Sequence, residues 1–80
     1  MNKITLDNLK VGKSARVIAV NSTGNIRRRL LDIGLVPNTL VTAVLISPFN
    51  DPIAYKIKNA TIAIRKCDSR EIEVYEIWKE

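Results

Sequence analysis

TLVTAVLIS (39–47), PFNDP (48–52), IAYKIK (53–58) and TIAIR (61–65) follow one another with only Asn59 and Ala60 between the last two. The first run is almost continuously apolar, the pattern of a strand buried on both faces or curling within a small barrel. PFNDP breaks it, since proline cannot donate to a sheet ladder. In the third run Ile53, Tyr55 and Ile57 alternate against Ala54, Lys56 and Lys58, and in the fourth Ile62 and Ile64 alternate against Ala63 and Arg65. A period of two marks a strand with one buried face. The two runs are expected to form a hairpin turning at Asn59 and Ala60.

On the N-terminal side of this block the period changes. Ile26, Leu30 and Ile33 stand at i, i+4 and i+7, which places them on one face of a helix beginning at Asn25 and closed by Gly34. Arg27, Arg28 and Arg29 fan over the remaining circumference, and Leu31 lies off the apolar stripe, bordered by cations. Further upstream KSARVIAV (13–20) reads as a strand between Gly12 and NSTGN, and ITLDNLKVG (4–12) as a short turn covering one end of the core. Downstream, CDSR (67–70) has the chemistry of a tight turn. In EIEVYEIWKE (71–80) Ile72 and Val74 alternate against Glu71, Glu73 and Tyr75 until the phase is lost at Tyr75 to Ile77, which predicts a bulge or the end of the strand. The whole is a mostly β domain spanning residues 1–80: about five strands, one short helix between strands one and two, and a barrel whose closure removes exposed edges.

The composition narrows the functions open to such a domain. There is no His, which removes the commonest general base and the commonest transition-metal ligand together. Cys67 is the single cysteine and cannot form an internal disulfide, as suits a reducing compartment. No apolar run approaches the roughly 20 residues that cross a bilayer, and MNKITLDNLK lacks a signal pattern, so a cytoplasmic location is expected. Ser14, Ser22, Thr23 and Ser47 have no His to activate them, and no Gly-x-Ser-x-Gly elbow or phosphate-cradling loop occurs. The net charge of +5 is unevenly spread: residues 1–66 carry 11 basic and 3 acidic side chains, residues 67–80 carry 2 and 5. A cationic body of this kind favours an acidic protein surface, anionic lipid or nucleic acid as partner. The chain reads as a binding module rather than an enzyme.

RRLLDIGLVPN (28–38), SPFNDP (47–52) and IAIRKCDSREIEV (62–74), in this order of elements, resemble the FeoA family, small cytosolic partners of the ferrous-iron transporter FeoB. The resemblance runs from Leu6 to about Val74. Leu31, Asp32, Ile33, Gly34, Leu35 and Pro37 fit the family's pattern, while Asn38, Asn50 and Asn59 stand where it carries glycine. Asparagine tolerates positive φ best among the other residues, so all three are expected in the left-handed region. The resemblance implies an SH3-like barrel that docks on the cytosolic region of a FeoB-type transporter, meets the membrane only through that partner, and modulates its assembly or GTPase cycle. No cofactor is implied, and no nucleic-acid partner is expected. Two alternatives carry less support: an SH3-like regulatory module acting on an iron-dependent repressor, and a basic small barrel that binds nucleic acid. The second needs stacking platforms, for which only Tyr55, Tyr75 and Trp78 are at hand.

The expected partner-binding residues are Arg27, Arg28, Leu31, Leu35 and Val36. Cations beside an apolar side chain combine a steering rim with an anchor; the competing explanations are a solvated helix face for the arginines and a buried contact for Leu31. Asp32, Asp51, Asp68, Cys67 and Glu71 are the only plausible metal ligands. Without His they would suit hard cations at best, and turn and cap chemistry accounts for them, so no specific ferrous site is expected.

Overall fold

A computed structural model describes residues 3–46, 48 and 51–77, with the side chain of Ile46 outside that set. Six strands form one antiparallel sheet: β1 (Lys3–Thr5), β2 (Ser14–Val20), β3 (Leu40–Ile46), β4 (Ile53–Ile57), β5 (Ala60–Ile64) and β6 (Ile72–Ile77), in the order β1-β6-β2-β3-β4-β5. Helix α1 (Gly24–Asp32) joins β2 to β3, and the one-turn helix α2 (Lys66–Ser69) joins β5 to β6. The mostly β class, the single helix between the first two long strands and the turn at 67–70 agree with the sequence reading.

Among the described residues the strands number six where about five were expected. Lys3–Thr5, at the head of the stretch read as a turn, is a three-residue strand paired with β6, followed by a 3-10 turn at Leu6–Asn8. A run this short is invisible to a period-two search, yet its pairing raises the number of strands to six. Closure is incomplete as well, because no ladder joins β1 to β5 among the described residues. The gap is bridged by side chains: Tyr55 on β4 donates its hydroxyl to the Leu6 carbonyl at 3.1 Å, with both residues wholly buried.

Two bulges curl the sheet. Val17 pairs with Val74 and Ala19 with Glu73, so Ile18 is the extra residue; Ala43 pairs with Tyr55 and Leu45 with Ala54, so Val44 is another. An inserted residue exchanges the two faces of its strand. In β2 the buried set accordingly moves from Ala15 and Val17 to Val20. The bulge expected at Tyr75 to Ile77 is not there: these residues pair with Arg16, Ala15 and Ser14 in unbroken register, and β6 runs on to Ile77. Continuous apolarity in β3 is likewise not two-sided burial: Val41 and Ala43 are buried, whereas Leu40, Val44 and Leu45 face outward, Leu45 with 64% of its surface exposed.

The β4–β5 hairpin turns on Lys58 and Asn59, one residue earlier than the spacing suggested, since Ile57 pairs directly with Ala60. The left-handed residue is Lys58 (φ 56) and Asn59 is outside that region. Positive φ at the first turn position alone is the pattern of a type II′ rather than a type I′ connection. Asn38 does adopt positive φ (73), and Asn50 lies outside the described residues.

Candidate docking surface

The site is best built from the end of α1. The Leu35 amide donates to the Leu30 carbonyl at 3.1 Å and the Gly34 amide to the Leu31 carbonyl at 3.0 Å, with Gly34 at φ 113. This is a Schellman closure, in which the residue after the left-handed glycine packs on the residue five before it. Leu30 and Leu35 are that pair, and both are buried, Leu35 completely. Leu35 is thus a core residue beneath the expected docking surface and not part of its exposed face.

A second correction concerns which side of the helix is inside. Leu30 is buried and Leu31 and Ile33 pack partly against the core, but Ile26, expected in the buried stripe, keeps 50% of its surface exposed. The helix leans on the barrel through its last turn only. The chain enters it through Gly24 at φ 63, and residues 24–29 are all exposed. Arg27, Arg28 and Arg29 are all exposed, as is Val36 at 39%.

Arg27, Arg28 and Leu31 come together with Gly24 and Asp32 around a cleft of about 280 Å³. Val36 stands apart from this cleft, on the loop that leads to Asn38. A larger groove, about 570 Å³, lies on the other side of that loop and is lined by Arg16, Val17, Ile18, Pro37, Asn38, Tyr75 and Ile77. Its wall is tied down: Arg16 Nη1 donates to the Asn38 carbonyl at 2.8 Å and the Asn38 amide to the Val17 carbonyl at 2.8 Å. The sequence held no signal for this groove, because its floor exists only once Ile18 bulges and Asn38 turns left-handed.

The acidic residues do not converge. Asp51 Oδ1 accepts the Lys66 backbone N–H at 3.0 Å, and Asp68 sits beside Cys67 with its Oδ1 3.9 Å from the thiol sulfur. Among the described residues, no three His, Cys, Asp or Glu side chains lie close enough to share a metal ion. Among the described residues two titratable groups are clearly perturbed. Burial pushes the Tyr55 phenol up to about 12, helped by the Asp7 carboxylate and opposed by a hydrogen bond with Ser69. Hydrogen bonds from Lys3, then Asn21, hold the Glu73 carboxyl below its usual value, the Lys3 Nζ lying 3.2 Å from Oε1. Neither group is in the cleft. Among the described residues no helix is long and apolar enough to cross a membrane.

The family model of the FeoA domain matches residues 4–76. A curated relative, the Fe(2+) transport protein A/Fe(2+) transporter FeoB fusion protein of Porphyromonas gingivalis (strain ATCC BAA-308 / W83), is 33% identical over 69 residues, which is 86% of this chain and 8% of that protein. The chain therefore spans a small fraction of that relative's length. The solution structure of iron(II) transport protein A from Clostridium thermocellum is 32% identical and superposes with a TM-score of 0.88 over 92% of this chain and 46% of its own. FeoA of Stenotrophomonas maltophilia, an SH3 domain protein solved with zinc, is 27% identical, with a TM-score of 0.80 over 89% of this chain and 88% of its own. With nearly the whole length matched by the domain model and a relative at one-third identity, the chain belongs to the FeoA family.

Proposed function

We propose that this chain is a non-catalytic accessory protein of ferrous iron transport, which binds the cytosolic region of a FeoB-type transporter through α1 and modulates that transporter's assembly or GTPase cycle. The observation that carries the reading is the Porphyromonas gingivalis relative, in which Fe(2+) transport protein A and FeoB are one polypeptide. Parts that are fused in one protein commonly act side by side, so a domain of this family is read as presenting a surface to such a transporter. The exposed arginines of α1 beside Ile26 and Leu31 supply charge for steering and apolar area for anchoring, with Val36 exposed on the loop that follows. Leu31 is partly engaged by the core, which makes Ile26 the less encumbered anchor.

The test is association of the chain with the isolated cytosolic region of a FeoB-type transporter, measured at several salt concentrations. The double substitution Arg27→Glu, Arg28→Glu should slow association and flatten its dependence on salt, because exposed cations act through a field screened within about 10 Å at 0.1 M ionic strength. Unchanged association rates in a folded double variant would refute the helix as the docking face. Absence of any complex at micromolar concentrations would refute the partner.

A further inference from the structure

We infer that the outer edge of β5, together with the groove between it and α1, receives an extended, acid-bearing apolar segment of the partner as an added strand. Among the described residues β5 is the last strand of the open sheet and pairs only with β4. Because Ile57 and Ala60 flank a two-residue turn, they form a hydrogen-bonded pair, and so do Tyr55 with Ile62 and Ile53 with Ile64. The backbone N–H and C=O groups of Thr61 and Ala63 consequently point away from the sheet, and both residues are exposed. Edges are ordinarily blunted by charge, proline, bulges or brevity. The opposite edge shows such blunting: β1 is three residues long and opens with Lys3, paired to Glu73. β5, ATIAI, has five residues, no charge, no proline and an unbroken register.

The edge borders a groove of about 310 Å³ whose apolar lining includes Leu30, Ile33, Ile62 and Ile64. Strand addition takes affinity from main-chain bonds and selectivity from pockets for alternate side chains, and this groove provides the pocket. Charge selects the occupant. Arg29 and Arg65 line the groove together with one carboxylate, Asp68, while Lys58 stands at one end of the strand and Lys66 follows the other, so cations outnumber the acid four to one around it. A second copy, paired antiparallel and centred, would set the Lys58 end of one strand against the Arg65–Lys66 end of the other, like charge on like. A segment with carboxylates at its ends and apolar residues between them meets opposite charge at both. For the partner's identity the inference rests on the function proposed above.

Backbone amide exchange of the full ¹⁵N-labelled chain separates the possibilities. The probes are an acetylated, amidated heptapeptide of alternating glutamate and valine, its lysine counterpart, and the cytosolic region of a FeoB-type transporter. The acidic peptide and the transporter region should each slow exchange at Thr61 and Ala63, and the lysine peptide should not. Thr61→Pro removes one outward donor at a position where the sheet does not use it, and should weaken the acidic peptide by about tenfold, the effect of one lost hydrogen bond. If that variant unfolds, Ala63→Glu opposes the acidic probe with like charge on an exposed position and should abolish the slowing. Unaltered exchange at both amides with the acidic peptide overturns the inference, as does slowing that grows with protein concentration alone, which would mark a second copy. A transporter region that binds while leaving both amides unprotected overturns it too. A transporter region that fails to bind, beside a peptide that protects both amides, overturns the proposed function and upholds the edge.

Discussion

Replacing Tyr55 by Phe isolates a hydrogen bond that spans the unlaced side of the barrel. The substitution keeps the ring and removes the hydroxyl that donates to the Leu6 carbonyl at 3.1 Å. Both residues are wholly buried, so water cannot take over the vacated acceptor. Loss of a buried bond that leaves its partner unsatisfied costs about 1–3 kcal/mol, which for a chain of this size lowers Tm by roughly 4–8 °C per kcal/mol. The pH dependence carries a second signature. An unfolded tyrosine titrates near pH 10, whereas burial moves Tyr55 in the folded chain up to about 12. Between these values the unfolded chain releases a proton that the folded chain retains. The stabilisation is complete below pH 10 and is lost as pH rises through 12, by about 3 kcal/mol in all at about 1.4 kcal/mol per unit. The Phe variant has no such loss, so in urea denaturation followed by circular dichroism wild type should be more stable by about 1–3 kcal/mol at pH 7, and that advantage should fall by about 3 kcal/mol between pH 10 and 12, to zero or below. A variant as stable as wild type at pH 7, or a gap that stays constant from pH 10 to 12, would refute the bridging role.

Gly34→Ala should destabilise the fold by about 1–3 kcal/mol in thermal melts, because a residue at φ 113 acquires a Cβ 3.1 Å from Ile57 Cγ2; Asn38→Gly, which keeps its left-handed turn, should stay within about 0.5 kcal/mol. Leu35→Ala should cost about 2–5 kcal/mol of stability as a cavity beneath α1, and its partner affinity, corrected for the unfolded fraction, should match wild type. Ile26→Ala should do the reverse, changing stability by less than about 0.5 kcal/mol and weakening the transporter complex by about 1–2 kcal/mol in calorimetry.

The helix and the long strands were legible because their signals are local. Period two in 53–58 and 61–65, and the Gly34 stop, each depend on residues within one element. The misses share another cause. Whether the hairpin turns at Lys58–Asn59 or Asn59–Ala60 depends on register against β4, and the bulges at Ile18 and Val44 exist only as mismatches between neighbouring strands. No single strand encodes them. β1 is recognisable only through β6, and the open seam between β1 and β5 follows from where ladders end rather than from any hydrophobic pattern.

The same distinction divides the docking surface. Arg27, Arg28 and Arg29 could be assigned to the outside from sequence because burying an unpaired guanidinium costs far more than any packing gain nearby. Their apolar neighbours could not, since core and interface draw on the same residue types. In a nine-residue helix bearing Ile26, Leu30, Leu31 and, just past its end, Ile33, a small rotation and a shallow lean decide which of the four is left over. Here the lean buries Leu30 and exposes Ile26. Leu35 is the exception that was within reach. Once Gly34 is read as the left-handed closure of the helix, the following residue must fold back on the one five before it, and pairing Leu35 with Leu30 places it in the core without any structure. An anchor residue is what core packing leaves exposed, so its identity becomes legible only after the helix-end geometry has been used to remove the residues the core requires.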